Sequence, residues 1–483
     1  MSIPVFKCAD KTLERAFEIA TSDILSNVRP YKAGILKESE PCLMAGSSYT
    51  TPWTRDSAIN TRNAAAFLIP DIAKSTLKSV LAYNGGKVRA GGEYWDAVIW
   101  ITGAYSYYLA SADKDFLAEA YTVAQNTLEY FESTELDRED MLFRGPAVYG
   151  DGVAAYPDRY ACGESGIMAF TRVKRDECLD TGVGIPMKVL STNCLYYECY
   201  KTVLKMEREL GIPETVHYSE MAAALLCAIN TRLFDNERGT YRYFNDPAGG
   251  CDRQEGMGIA LALLYGVASP DRAKSVLDRV QLTDSGIACV FPGYERYATE
   301  DGTGYGRHSG TVWPHIEAFF AEAALIHGRS DLFVRELYLL ASRAVRDGDF
   351  AEIYHPKTGE IYGGRQEQAG MGIIEWESVR RQTWSASGFV RLILRGVCGI
   401  DVSAEGLSLS PAPFIAECSL NGLTYRGAVL NITVKQGEKN SILISGEEKA
   451  FPFIPERGKE YNVQITLTNN EDKIGGKLHD RCS

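Results

Sequence analysis

No stretch of this 483-residue chain stays apolar for long enough to span a membrane. Its opening residues, MSIPVFKCADKTLERAF, also lack the basic-then-apolar order of an export signal. Runs of lysine or arginine are missing too, and the net charge is −12. Electrostatics therefore disfavours nucleic acid, anionic membrane and acidic polymers as partners, and a neutral substrate fits. Histidine is scarce, six residues dispersed along the chain, so no metal site is legible and no cofactor is expected. The twelve cysteines include no C-x-x-C pair, and several, such as Cys194, Cys199 and Cys227, fall in apolar helical stretches. They read as free thiols of a reducing, cytoplasmic compartment rather than as a disulfide frame.

What the chain does have is helical periodicity. Apolar residues recur at i, i+3, i+4 and i+7 near 10–28, 56–68, 71–83, 94–110, 115–132, 190–210, 217–233, 254–267, 270–280, 309–327, 331–347 and 382–397. The connections at 69–70, 111–114, 211–216, 268–269 and 328–330 are short, and those between them are mostly long. A short link forces antiparallel neighbours. Strict alternation of short and long then makes a ring of six hairpins with every long loop on one face. The predicted architecture is mainly α, an (α/α)6 barrel over residues 1–398, with its site among the long loops. After residue 398 the pattern changes to period two, as in "GLSLSPAPF" and "EYNVQITLTN". This predicts a small antiparallel, sandwich-like β domain over 399–470, followed by a polar, mobile tail over 471–483.

Aromatic residues are plentiful, with 27 tyrosines and 6 tryptophans, and ring faces pack well against pyranose C–H faces. Two candidate segments lie at long-loop ends. "TPWTRDSAIN", Thr51 to Asn60, sets Arg55 and Asp56 side by side at a helix mouth, where Asp56 reads either as a helix cap or as a sugar-binding group. "DFAEIYHPKTGEIYGG" fills the last long loop, ahead of "RRQTWSASGFVRLIL". Hydrolysis of a glycosidic bond needs two carboxyl groups, one to protonate the leaving oxygen and one to activate water or attack. In a helical barrel they belong in different long loops.

In these segments the chain resembles the six-hairpin glycosidases, above all glucoamylases and their debranching, trehalase-like and processing-glucosidase relatives. Those enzymes carry a W-x-R-D-S stretch, here Trp53, Arg55, Asp56 and Ser57, and an E-x-Y-x-x-x-x-G-E loop followed by T-W-S, here Glu352 and Thr383-Trp384-Ser385. The resemblance implies that Glu352 is the general base, that Arg55 and Asp56 grip hydroxyls of the terminal sugar, and that Trp53 walls the pocket. It also places the general acid in the loop 133–189. Asp151, in "AVYGDGVAAYPDRYACGES", is the leading candidate there, with Tyr149 and Tyr156 expected to raise its pKa; Asp158 and Glu164 are the alternatives. The loop lacks the Trp–Glu–Glu run in which glucoamylases hold their acid.

Further candidates for the mouth are Tyr94, Trp95 and Asp96 in "GGEYWDAVIW", Arg307, His308 and Trp313 in "YGRHSGTVWPH", and Trp384; Trp100 reads as core. Gln254 and Glu255 start a helix on the same face, and Glu377 is the rival base. "GTGYGRHSG" follows no strand and does not read as nucleotide-binding, and "NIT" at Asn431 reads as strand sequence. The resemblance implies an inverting, exo-acting hydrolase of an α-linked glycoside, a glucoside first, with a small carbohydrate as its partner. A phosphorylase on the same barrel and a non-catalytic carbohydrate-binding protein are the alternatives.

Overall fold

The computed structural model describes residues 3–180 and 182–468, so the tail expected over 471–483 lies outside the described residues. Twelve principal helices occur among them: α1 Lys11–Ser26, α2 beginning at Thr54–Asn60, α3 Pro70–Ser79, α4 Ile99–Ser111, α5 Lys114–Thr134 and α6 Leu190–Leu210. The second half adds α7 Val216–Arg232, α8 Gly256–Leu264, α9 Pro270–Arg279, α10 Pro314–Ile326, α11 Ser330–Asp347 and α12 Thr383–Leu392. Helix α2 runs on through a π turn at Thr61–Ala65, and α12 ends in another at Ile393–Val397.

The even-numbered helices form the inner ring. Each packs on the next, from α2 through α4, α6, α8 and α10 to α12, and α12 returns to α2. Sequence explains which helices go inside. In α8 every residue from Gly256 to Leu263 is buried, whereas outer α9 buries only Ala273, Val276 and Leu277, one stripe at i, i+3 and i+4. Close approach within the ring needs small side chains: a Cβ on Gly103 of α4 would lie 2.6 Å from the Ala58 Cα of α2. A buried ion network ties the ring as well. Glu322 of α10 accepts from Arg62 of α2 at 2.9 Å and from Arg391 of α12 at 3.2 Å. Trp100 is core, its indole N–H donating to Leu77 O at 2.9 Å.

The region after residue 398 differs from the antiparallel sandwich expected. It contributes four strands of a five-stranded sheet whose edge strand, β1 Val5–Cys8, comes from the N-terminus. The others are β2 Cys418–Tyr425, β3 Ala428–Gln436, β4 Ser441–Ile444 and β5 Glu460–Leu467, in the order β1-β2-β3-β5-β4. The β3–β5 pair is parallel, so the sheet is mixed. Asn431 lies inside β3 and accepts from Gly422 N. Among the described residues no helix is long and apolar enough to cross a membrane, and eleven cysteines are unpaired.

Buried carboxyls make stability depend on pH. Desolvation raises Asp23 and Glu135 to about 7 and Glu255 to about 8. Between their unfolded values near 4 and these folded values the native state binds more protons than the unfolded chain, so their contribution to stability falls as pH rises. Glu322, held below its ordinary value, is ionised in both states over this range and adds no slope. Buried His308 and His315, both lowered, oppose the trend below about pH 6.5. The expected result is a melting temperature that drops between about pH 6.5 and 8, read by scanning calorimetry.

Candidate active site

Each inner helix starts at the end of a long loop, so six helix N-termini face the loop side of the ring. None of the six carries a side-chain cap, whereas outer helices α1, α5 and α9 are capped by Asp10, Asp113 and Ser269. Other segments take up several of these first amides instead: Ser191 N–H donates to the Glu255 carboxylate at 3.0 Å, Gly256 N–H to Cys289 O at 2.9 Å and Thr383 N–H to Ala45 O at 2.8 Å. Asp56 is no cap either: it lies 3% exposed with Oδ1 unpartnered.

A cavity of about 100 Å³ opens on this face, lined by Tyr49, Trp53, Arg55, Asp56, Asp151, Arg307, His308, Trp313, Glu352, Gln382 and Trp384. Nine of the twelve residues expected at the site line it. Tyr94, Trp95 and Asp96 do not. A turn closed by Asp96 N–H to Glu93 O rolls them inward. Tyr94 and Trp95 then pack edge to face, with ring centres 5.2 Å apart, against the core. Asp96 instead sits behind Arg55, accepting from it at 3.0 Å. The alternatives are also elsewhere. Asp158 pairs with Arg296 at 2.8 Å and Glu164 with Arg172 at 2.6 Å, both near the surface, and the Glu377 side chain is exposed. Glu255 is buried, accepting from Ser191 N at 3.0 Å, and Gln254 bonds to Gln281.

Glu352 is built into place by its own loop. Tyr354, two residues on, is buried, accepts the Ala351 N–H at 3.0 Å and pairs through its backbone with Val312. The carboxylate of Glu352 is 2% exposed, accepts from Arg307 Nη2 at 2.6 Å and takes the Tyr49 hydroxyl at 3.0 Å. Arg307 is itself anchored by Gly363 O at 2.9 Å. Thr383 of the T-W-S motif is a fastener: it accepts from Asn27 at 2.9 Å and donates to Met44 O at 2.7 Å, fixing the start of α12. Trp384 stacks on His315 at 4.0 Å and stands edge to face with Trp313 at 5.7 Å. Trp53, 48% exposed, forms the outer lip.

Asp151 faces Arg55, 3.7 Å from Nη2, and His308, 3.4 Å from Nε2. Its side chain is 48% exposed through the cavity mouth although the residue lies deep in the loop face. Tyr149 and Tyr156 do not raise it as expected, because both lie beneath the loop: Tyr156 donates to Gly150 O at 2.6 Å and Tyr149 to Cys289 O at 3.3 Å. Burial alone would push the carboxyl up. The His308 contact and the fields of Arg55 and Arg307 outweigh it and hold Asp151 below its ordinary value. Asp56, desolvated and further from relief, is raised to about 7.

Polar atoms on the lining lack protein partners: Arg55 Nε, Asp56 Oδ1, both ring nitrogens of His308, Gln382 Oε1 and Trp384 Nε1. Buried polar groups are ordinarily bonded, so this cluster of unpaired donors and acceptors beside two carboxylates is unusual for a protein interior. Tyr49 and Gln382 are site residues that the sequence motifs do not single out. Gln382 adjoins the T-W-S motif; nothing local marks Tyr49, whose role depends on a contact across 303 residues.

Chain order and ring closure define a six-hairpin barrel. Residues 49–385 match the family model of the mannosylglycerate hydrolase MGH1-like glycoside hydrolase domain, and the chain belongs to that family. The matched span begins at Tyr49 and contains every residue of the cavity. Among solved structures, a sialidase superposes with TM-score 0.63 at 14% identity, covering 88% of this chain and 38% of that one. A GH63 mannosylglycerate hydrolase from Thermus thermophilus, in complex with glucose, superposes with TM-score 0.57 at 15% identity, covering 78% of this chain and 99% of the other. Identities this low show the fold alone. An N,N'-diacetylchitobiose phosphorylase from Vibrio proteolyticus is 31% identical over 127 residues, which is 24% of this chain and 16% of that relative.

Proposed function

We propose that the protein is an inverting, exo-acting hydrolase that removes one hexose from a small α-linked glycoside. Glu352 takes the proton of an attacking water, Asp151 protonates the glycosidic oxygen, and Arg55 and Asp56 hold the sugar between them. The observation that carries this reading is the meeting of Asp151 and Glu352, from the loops 135–189 and 348–382, on one cavity of about 100 Å³. That space suits one ring rather than a polymer. The family's name and the glucose held by the Thermus relative support glucosides and mannosides as the first substrates to try.

Phosphorolysis is the second reading, raised by the phosphorylase relative. It needs phosphate in the place of a base-activated water. Glu352 is here, charge-paired to Arg307 at 2.6 Å, which favours hydrolysis. The test is turnover of α-glucosides and α-mannosides with small aglycones, with and without phosphate. Free hexose at a rate indifferent to phosphate is expected; hexose 1-phosphate would overturn the hydrolase, and no turnover of any glycoside would leave a binding protein. A smaller effect is expected at the lip: Trp53→Ala raises KM about three- to tenfold and leaves kcat near wild type, because a half-exposed ring contributes only part of its contact.

A further inference from the structure

His308 lines the sugar cavity with its imidazole in ion-pair range of a carboxylate, without a hydrogen bond between them. Nε2 stands 3.4 Å from Asp151 Oδ1, and the residue is 2% exposed. The ring stacks on Trp313, with centres 4.8 Å apart and planes 23° from parallel, and its centre lies 6.5 Å from that of Tyr149. Trp313 is pinned in turn by its indole N–H, which donates to Arg307 O at 2.8 Å. The acid loop leaves room for the imidazole: a Cβ on Gly152 would lie 2.4 Å from His308 Cε1. The loops and side chains around it thus hold an imidazole beside Asp151, whose carboxylate is in ion-pair range of Nε2, and among the described residues neither ring nitrogen has a hydrogen-bond partner.

We infer that His308 is a positioning residue that aims Asp151 at the glycosidic oxygen and shares with it the proton that the acid delivers. The inference rests on the hydrolase reading above. The protonated pair carries one proton between Nε2 and Oδ1. Its transfer to Asp151 gives neutral imidazole and a carboxylic acid, which passes the proton to the glycosidic oxygen as the C1–O bond breaks and the bonding electrons stay on that oxygen. Water forms the new C1–O bond and gives its proton to Glu352. Glu352 then loses a proton to solvent, and the pair regains one through His308, so hydrolysis consumes only water.

Charges around the pair set its pH range. His308 is faced by Asp151, Arg307 and Arg55, with His315 beyond the Trp313 ring; Asp151 is faced by His308, Arg55 and Arg307, with Asp56, Glu93 and Asp96 around the same guanidinium. Burial, Arg307 and Arg55 hold His308 below its ordinary value against the pull of Asp151. The two groups titrate as one unit. Its active form is protonated, so kcat/KM falls as pH rises through a value below about 6.5.

The test is His308→Asn against a series of α-glycosides whose leaving groups run from alkyl alcohols to dinitrophenol. Alkyl glycosides depend on the acid and should lose about 10²-fold or more in kcat/KM, while dinitrophenyl glycosides, which leave unaided, should lose less than about tenfold. The basic limb should also move to lower pH, because the site with the greater proton affinity is gone. Equal losses across the series with an unmoved limb would make His308 a sugar contact and overturn the inference. A readout without turnover accompanies it: the imidazole 15N titration of His308 should shift down in Asp151→Asn, where the anionic partner is removed. An unshifted titration would show that the two groups do not share a proton. If wild type cleaves no glycoside at all, the hydrolase reading fails first and the catalytic role of the pair falls with it, whatever the 15N titration shows.

Discussion

Glu352→Gln lowers kcat by about 10³- to 10⁴-fold and leaves KM within a few-fold of wild type. The substitution keeps the shape of the side chain and an oxygen for the Tyr49 hydroxyl, which now reaches Glu352 at 3.0 Å. What it removes is the proton acceptor. An amide cannot deprotonate water, and water is far too weak a nucleophile at neutral pH without help. Arg307 loses its 2.6 Å partner but remains bonded to Gly363 O at 2.9 Å and Glu377 O at 3.1 Å, so the loop keeps its form. Steady-state kinetics with a far-UV circular dichroism control check both halves. A loss seen only in KM would make Glu352 a binding group. Undiminished kcat would remove it from the reaction.

Arg55→Met costs both stability and activity, and the stability loss depends on pH. Arg55 donates to Asp96 Oδ2 at 3.0 Å and to Val148 O at 3.2 Å, and stands 3.7 Å from both Asp151 and Glu93. Asp56 is its chain neighbour. Four carboxylates thus surround one guanidinium, and a methionine of similar volume leaves them facing one another without a cation. Breaking a buried pair by deleting one partner costs about 3–5 kcal/mol. Desolvation already raises Asp56 to about 7 and lifts Asp96 and Glu93 as well, and Arg55 opposes each of these rises. Without it they protonate more readily, so the destabilisation should be largest near about pH 8 and should shrink towards about pH 5, where the carboxyls are neutral and repel no longer. Urea unfolding at the two pH values measures the difference, and an equal loss at both would mean that Arg55 acts by packing. Turnover should fall at least about 10²-fold at either pH, since the sugar loses its main donor and Asp151 loses a neighbour that fixes it. Gly152→Ala reaches the same carboxylate from the backbone side. The added methyl would press on His308 Cε1 and, at 2.3 Å, on Gln366 Oε1, and kcat should drop by about 10²-fold with a lowered melting temperature, since overpacking buried side chains costs about 1–3 kcal/mol.

The barrel is legible in the sequence because its information is local. Each helix announces itself by periodicity and by signals such as Ser269-Pro270, and loop lengths alone then order the ring. The strand Val5–Cys8 is invisible there for the opposite reason: its four residues pair with a strand some 400 positions away, at the register Val5↔Asn421, and no local pattern encodes that. The parallel β3–β5 pair arises because the short strand β4 intervenes in sequence but takes the sheet edge. In the site, residues with a motif around them can be named in advance, as with Arg55, Asp56 and Glu352. Tyr94, Trp95 and Asp96 sit at the right helix mouth, but one reverse turn decides whether side chains at that mouth point out or in. The surroundings of Asp151 escape the sequence for a similar reason. Its sequence neighbours Tyr149 and Tyr156 pack downward, and the charges that govern it come from α2 and from the loop before α10.

The most direct measurement of the central claim is the anomeric form of the first product, followed by proton NMR within seconds of adding an α-glycoside. An acid at Asp151 and a base at Glu352, with water between base and sugar, deliver that water to the face opposite the leaving group. The account predicts β-hexose first, with the α-anomer growing in only at the rate of spontaneous mutarotation. Initial release of α-hexose would show a double displacement through a glycosyl-enzyme, and would contradict the role assigned to Glu352, which would then be the nucleophile.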